Sequence, residues 1–223
     1  MRILAIDTAT ERCSVALRID ERVIERSSET PRGHADLVLP MVEAVLQECG
    51  MRLRDLDGIA YGRGPGAFTG VRIAVGVVQG LAFGSGLKTV GISDLAAVAQ
   101  QVAGPGDRIL VCNDARMDQV YWSSFVRETN SGRVAALTPE RVDPPDVVAA
   151  GNYTTLAGTG FKAYPQLLSR LSGPGVAVYD ATLPRAREIA LLAEAEFLAG
   201  NGKPAAEAEP VYVRDQVAHV KKP

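Results

Sequence analysis

GPGAFTGVRIAVGVVQGLAF, from Gly64 to Phe83, combines a Gly-Pro-Gly turn with a long apolar segment notched by glycines. Glycines at 62, 64, 66, 70, 76, 80 and 84 suggest a nucleotide loop at first sight. A P-loop, however, needs a lysine and then a hydroxyl residue after its glycines, to reach the phosphates and magnesium. Phe68-Thr69-Gly70-Val71-Arg72 supplies neither in that arrangement. The spacing also departs from the dinucleotide fingerprint, and Pro65 removes an amide that could have met a phosphate. The stretch reads as a turn feeding a helix over Thr69–Phe83. Between Val71 and Phe83 only Arg72 and Gln79 are strongly polar, so the helix is apolar on nearly all sides and needs two covers. Gly76 and Gly80, one turn apart, share a face on which another helix could approach closely. Each glycine costs about 1 kcal/mol against alanine in a helix, a cost that a packing gain should offset. Two readings follow: a helix wholly internal to its domain, or one whose second face docks another subunit.

The segments around it predict an α/β fold. Arg2–Asp7 is a short apolar run that reads as a buried strand, and Cys13–Ile19 and Arg22–Ser27 complete an antiparallel meander. Gly33–Cys49 has helical period and stops at Gly50, with Pro40 as a kink or first-turn marker. Leu56–Tyr61 and Lys88–Ile92 read as strands, and Ser93-Asp94 caps a helix over Leu95–Val102. Ala103-Gly104-Pro105-Gly106-Asp107 is the best internal boundary. It divides an N-terminal lobe, 1–103, from an abbreviated C-terminal lobe, 104–223, whose last segment packs back on the first. Strands are expected at Arg108–Cys112, Val120–Arg127 and Thr154–Ala157, and helices at Asp146–Gly151, near Phe161–Leu171 and at Arg185–Ala199. Val211–Val213 is placed as a short final pairing and Lys221-Lys222-Pro223 as a frayed tail. The order suggests two related halves, each a mixed sheet covered by helices.

Composition sets limits on partners. With 24 Lys and Arg against 26 Asp and Glu the net charge is −2, so no global basic field recruits nucleic acid. Cys13, Cys49 and Cys112 lie far apart, as do His34 and His219, which argues against a zinc cluster and fits a reducing compartment. No secretory leader is legible and no stretch approaches a bilayer-spanning run, so a cytoplasmic, soluble protein with no membrane partner is expected.

Arg63-Gly64-Pro65-Gly66-Ala67-Phe68-Thr69-Gly70-Val71-Arg72-Ile73 closely resembles the GPGSFTGLRI signature of the TsaB (YeaZ) proteins. Leu4–Thr10 resembles their LDTST opening. His34–Pro40, Asp114–Met117, Val120–Trp122 and Pro210–Arg214 match in order over nearly the whole chain. The resemblance implies an ASKHA (actin/hsp70/sugar-kinase-like) fold of two lobes and a part in making threonylcarbamoyladenosine (t6A) in tRNA. It further implies a non-catalytic platform, homodimeric in isolation, that pairs with a TsaD-like catalytic paralogue and a TsaE-like ATPase and meets tRNA only through the complex. The implied subunit interface is Gly66, Phe68, Thr69, Gly70, Arg72, Ile73, Gly76, Val77, Gly80 and Phe83.

The rival is a catalyst. TsaD-like chains carry an HxxxH metal pair, where Asp94 and Val98 stand here; a lone carboxylate is a poor metal site, and Asp94 reads as a cap or first-turn acid. His34 has no legible acid-nucleophile partners and reads as structural. Asp7 and Thr8 fall where ASKHA ATPases place a phosphate loop, so a small-molecule kinase or ATPase is the alternative. No catalytic residue, metal ligand or firm cofactor is assigned, and ATP or ADP at a subunit junction is left open. Asp114, Arg116 and Tyr121 divide between a structural turn and an interface role. Tyr121 and Trp122 fall on opposite strand faces, so one ring is expected in the core and the other exposed.

Overall fold

The computed structural model describes residues 1–214. The expectations for His219 and for the Lys221–Pro223 tail lie outside them. Five strands form the first sheet: β1 (Arg2–Asp7), β2 (Arg12–Ile19), β3 (Arg22–Glu29), β4 (Gly58–Gly62) and β5 (Thr89–Ile92). Their order is β3-β2-β1-β4-β5; the first three are antiparallel, and β1, β4 and β5 run parallel. Helix α1 (His34–Glu48) precedes β4, α2 (Phe68–Ser85) links β4 to β5, and α3 (Asp94–Val102) follows β5.

The same pattern then repeats. Strands β6 (Arg108–Asp114), β7 (Val120–Arg127) and β8 (Val134–Ala136) form the antiparallel meander, with β9 (Arg141–Asp143) pairing on β7. Strands β10 (Thr155–Ala157) and β11 (Ala177–Tyr179) add in parallel beside β6. The order β11-β10-β6-β7-β8 is the first sheet's order over again, so topology shows the two related halves. Short helices α4 (Gly160–Ala163) and α5 (Pro165–Leu171) take the place of α2, and α6 (Ala186–Leu198) that of α3.

Both sheets are buried on both faces, which is why their central strands read as continuous apolar runs. On β1, Leu4 and Ile6 enter the core beneath α1 and α2, whereas Ile3 and Ala5 enter the core under α6. On β6, Ile109 and Val111 pack against α3, and Leu110 and Cys112 against α4 and α5. The layers therefore run α1 and α2, first sheet, α6 beside α3, second sheet, α4 and α5. The chain passes between the sheets at Ala103–Asp107, but the final helices cross it: α3 packs on β6 and β7, and α6 packs on β1, β2 and β4.

Several expectations change. The helix read at Asp146–Gly151 is a single 3-10 turn, Pro145–Val147; its start lies at two prolines that offer no amide, and β-branched Val147 and Val148 follow. The helix near Phe161–Leu171 breaks at Tyr164 because Pro165 starts a new one. Pro40 stands within α1 rather than in its first turn. Val211–Val213 forms no strand; its pairing is one bond, from the Val211 amide to the Arg63 carbonyl at 2.7 Å. The three-residue strands β8, β9 and β11 were too short for alternation to reveal. Contrary to the expectation of no bilayer-length stretch, α2 has the length and composition to cross a membrane. Val71, Ala74, Val75, Val78 and Ala82 place one side of it in the core.

Candidate functional site

The site is built from the foot of α2 upward. The Gly64 amide donates to Asp94 Oδ2 at 2.5 Å, and the Asp94 amide donates back to the Gly64 carbonyl at 3.1 Å. Ala67 donates its amide to the Ala9 carbonyl at 2.7 Å, and the Thr8 hydroxyl donates to the Gly70 carbonyl at 2.6 Å. A Cβ on Gly66 would lie 2.5 Å from the Ala9 carbonyl oxygen, and one on Gly70 would run into the Thr8 carbonyl. Gly66 and Gly70 are thus required where the loop crosses the β1–β2 turn, and they face that turn rather than outward. Two amides that a phosphate would need are already spent inside the molecule.

Beyond this foot, α2 presents an exposed stripe. Thr69, Arg72, Gly76, Gly80 and Phe83 recur at three- and four-residue steps on its outer side, and Ile73 and Val77 are half-buried along its edge. Apart from the helix's own backbone, no atom of the described residues lies within 4 Å of where a Cβ would stand on Gly76, Gly80 or Gly84, so no packing among them requires a glycine at those three positions. Phe83 is 86% exposed at the far end of the stripe. The helix is therefore not wholly internal.

Its two polar residues are explained by the returning C-terminal segment. Gln79 Nε2 donates to the Ala208 carbonyl at 2.8 Å. Arg72 Nε donates to the Tyr212 hydroxyl at 2.7 Å, and its guanidinium lies 3.4 Å from the centre of the Phe68 ring. Phe68 and Tyr212, 5.7 Å apart, form an aromatic wall there. The Tyr61 hydroxyl is hydrogen-bonded to the Glu209 amide and carbonyl, which fastens the same segment to β4. Sequence reasoning had no means to pair Arg72 with a residue so distant in the chain.

A cleft of about 1000 Å³ opens between the lobes beside this foot, lined among others by Thr10, Gly66, Phe68, Asp114, Tyr121 and Arg214. Arg116, Met117 and Asp118 all take positive φ in the β6–β7 turn. Arg116 pairs with Asp114 at 3.1 Å and with Glu11 at 3.2 Å, so the turn bridges to the other lobe. Tyr121 lies under the Arg214 guanidinium, and Trp122 is buried with its Nε1 donating to Asp143 at 2.9 Å. The first phosphate-loop position does not fit a nucleotide: Asp7 and Thr8 are 0% and 1% exposed, sealed beneath the loop at Gly66–Gly70.

Nor do nucleophiles assemble. His34 is buried, with Nε2 at 2.8 Å from the Thr10 carbonyl. Burial pushes the Cys13 thiol up to about 11 and raises that of Cys112 further, so neither is a thiolate at neutral pH. Among the described residues no cluster of three or more His, Cys, Asp or Glu could hold a metal ion.

One group of residues went unrecognised in the sequence. Asp94 stands in the first turn of α3, where Ser93 is the cap through a 3.1 Å bond from the Ala96 amide. Its side chain points inward, fully buried, and faces Asp7 within hydrogen-bonding range. Asp7 Oδ1 accepts the Ala9 amide at 2.8 Å, but Asp7 Oδ2 and Asp94 Oδ1 meet no N–H or O–H donor among the described residues. Burial raises both carboxyls above their usual range, and for Asp94 the charge of Asp7 adds to it. Gly62 lies against both: a Cβ there would run into Asp94 Oδ1 and come 2.8 Å from Asp7 Oδ1.

Comparison with known proteins bears on this geometry. Residues 26–222 match the family described as TsaD: tRNA N6-adenosine threonylcarbamoyltransferase. The chain is 42% identical to the tRNA threonylcarbamoyladenosine biosynthesis protein TsaB of Escherichia coli (strain K12), over 100% of this chain and 99% of that one. Identity with the protein of the same name in Haemophilus influenzae is 36%, over 100% and 98% of the two chains. Among solved structures, YeaZ from Pseudomonas aeruginosa superposes with a TM-score of 0.85 at 40% identity, covering 95% of this chain and 99% of that chain. Another P. aeruginosa structure, of an uncharacterized protein with similarity to peptidase YEAZ, gives a TM-score of 0.87 at 41% identity, over 96% of this chain and 99% of that one.

Proposed function

This chain belongs to the TsaB family of tRNA threonylcarbamoyladenosine biosynthesis proteins, and we propose that it serves t6A formation by docking rather than by catalysis. The observation that carries this reading is the outer face of α2, an exposed stripe from Thr69 to Phe83 whose glycine notch at Gly76 and Gly80 no described residue fills. A helix backbone left bare at Gly76 and Gly80 favours close approach of a second helix, and the 86% exposed Phe83 provides an anchor beside it. The occupant is a TsaD-like catalytic paralogue, with a second copy of this chain taking the same face in isolation and a TsaE-like ATPase joining the pair. ATP or ADP, if required, would sit at a subunit junction rather than under the sealed Asp7–Thr8 turn. The protein reaches tRNA through the complex and works in the cytoplasm.

The match to a transferase family does not itself make the chain a transferase, since function resides in the site and not in the fold. Asp94 and Val98 stand where the TsaD-like pattern has its histidine pair, and Asp94 is committed to the Gly64 amide. The sealed Asp7–Thr8 turn counts in the same way against the small-molecule kinase. The test is reconstitution: threonylcarbamoyl transfer to tRNA should require this chain together with the paralogue and the ATPase. Transfer by the isolated chain would overturn the proposal, as would failure to co-purify with the paralogue.

A further inference from the structure

The Asp7–Asp94 contact extends beyond docking. Two fully buried carboxyls meet where β1 ends, β4 ends and α3 begins, and each spends one oxygen on a backbone amide of a different loop. The remaining oxygens, Asp7 Oδ2 and Asp94 Oδ1, have no donor among the described residues. Buried acceptors are ordinarily satisfied, and two adjacent buried anions are far costlier than one. Gly62 leaves room for both carboxyls to sit together. We infer that the two carboxyls hold one proton between them at neutral pH, and that this shared proton latches the foot of α2 to the ends of β1 and α3.

The other charges around the pair do not replace that proton. Arg12 on β2 and His34 on α1 favour the anion at Asp7, and Arg63 at the end of β4 does so at Asp94. The buried Cys13 thiol faces Asp7 from β2. None of them is hydrogen-bonded to either carboxyl: Arg12 is tied to Glu29 and Leu183, Arg63 to Glu140, and His34 to Thr10. A single negative charge is partly offset by Arg12 and Arg63, and a second is not.

The sign follows from linkage. Both native carboxyls bind protons more tightly than in the unfolded chain, so this contribution to stability is complete below the unfolded value of 3.8. It is lost as pH rises through the native steps, that of Asp7 at about 6 and that of Asp94 raised well above 3.8. Between those steps the native state holds one proton that the unfolded chain lacks, and the pair reduces the folding constant about tenfold per pH unit.

Two measurements decide it. In the chain labelled at aspartate 13Cγ, the resonances of Asp7 and Asp94 should titrate in two separated steps, with one proton still bound at pH 7. Two fully ionised resonances at pH 7 would overturn the inference. In denaturant titrations from pH 5 to 9, Asp94→Asn should flatten the fall in stability, because its amide accepts from Gly64 and donates to Asp7 without a titrating proton. His34→Gln, which removes the nearby imidazole, should leave the fall in place. Equal slopes in the wild-type chain and Asp94→Asn refute the latch; if that variant does not fold, the carbon titration of the unaltered chain gives the answer alone.

Discussion

Replacing Gly76 and Gly80 with leucine separates folding from docking, because the two effects have opposite signs. Among the described residues, a Cβ at either position meets nothing within 4 Å. The monomer therefore gains the difference in helix propensity, about 0.8 kcal/mol per site, or about 1.6 kcal/mol for the pair. For a protein of this size that raises the melting temperature by about 3–6 °C. The partner helix, in contrast, loses its close approach to the bare backbone. Pairing should weaken at least tenfold, equivalent to about 1.4 kcal/mol or more. Differential scanning fluorimetry reads the first effect. Light scattering after size exclusion, with pull-down by the TsaD-like paralogue, reads the second. A double variant that melts higher and still pairs with unchanged affinity would place the docking surface elsewhere. One that melts lower would show that the notch is filled from within.

The remaining expectations concern the same helix and its foot. Phe83→Ser, at a side chain 86% exposed, should change stability by no more than about 0.5 kcal/mol while reducing pairing about tenfold, seen by calorimetry and analytical ultracentrifugation. Gly70→Ala should act oppositely, since its Cβ runs into the Thr8 carbonyl. A loss of about 3 kcal/mol is expected in the denaturant midpoint, and a neutral result would contradict the packing of the loop on the β1–β2 turn. Arg72→Ala removes the bond to Tyr212 and the contact with Phe68, costing about 1 kcal/mol and speeding proteolysis after Ala208. Gln79→Met leaves the Ala208 carbonyl without its donor; a cost of about 1 kcal/mol should appear with the same protease.

Much of the fold was legible because its signals are local. The strand at Arg2–Asp7, the stop at Gly50 and the cap at Ser93 all act within a few residues, and the structure places them where the periodicity did. The outer face of α2 was half legible. A helix apolar all round with two glycines demands explanation, but whether the second cover lay inside the chain needed the tertiary structure. Gly66 and Gly70 resembled Gly76 and Gly80 in sequence yet serve the loop crossing, since a glycine does not reveal what approaches it. Asp94 was only half legible, for a related reason. Its position in the first turn of α3 was right, but its direction is set by β1, whose Asp7 is distant in the chain. Arg72 and Gln79 looked like interruptions of an apolar helix because residues 208–212, their partners, return only at the end.

The exchange of final helices has a consequence for synthesis on the ribosome. All strands of the first sheet have been made once Ile92 is added, yet its inner face, with Ile3, Ala5, Ala60, Val90 and Ile92, lacks its main cover until α6 has been translated. Helix α3, made early, has its own cover only when β6 and β7 exist. The nascent chain thus carries an apolar sheet face through nearly the whole of translation, where domain-by-domain folding would have closed it. Chaperone demand during synthesis should follow from this wiring, and a message truncated before Ala186 should yield an aggregating product in place of a stable lobe.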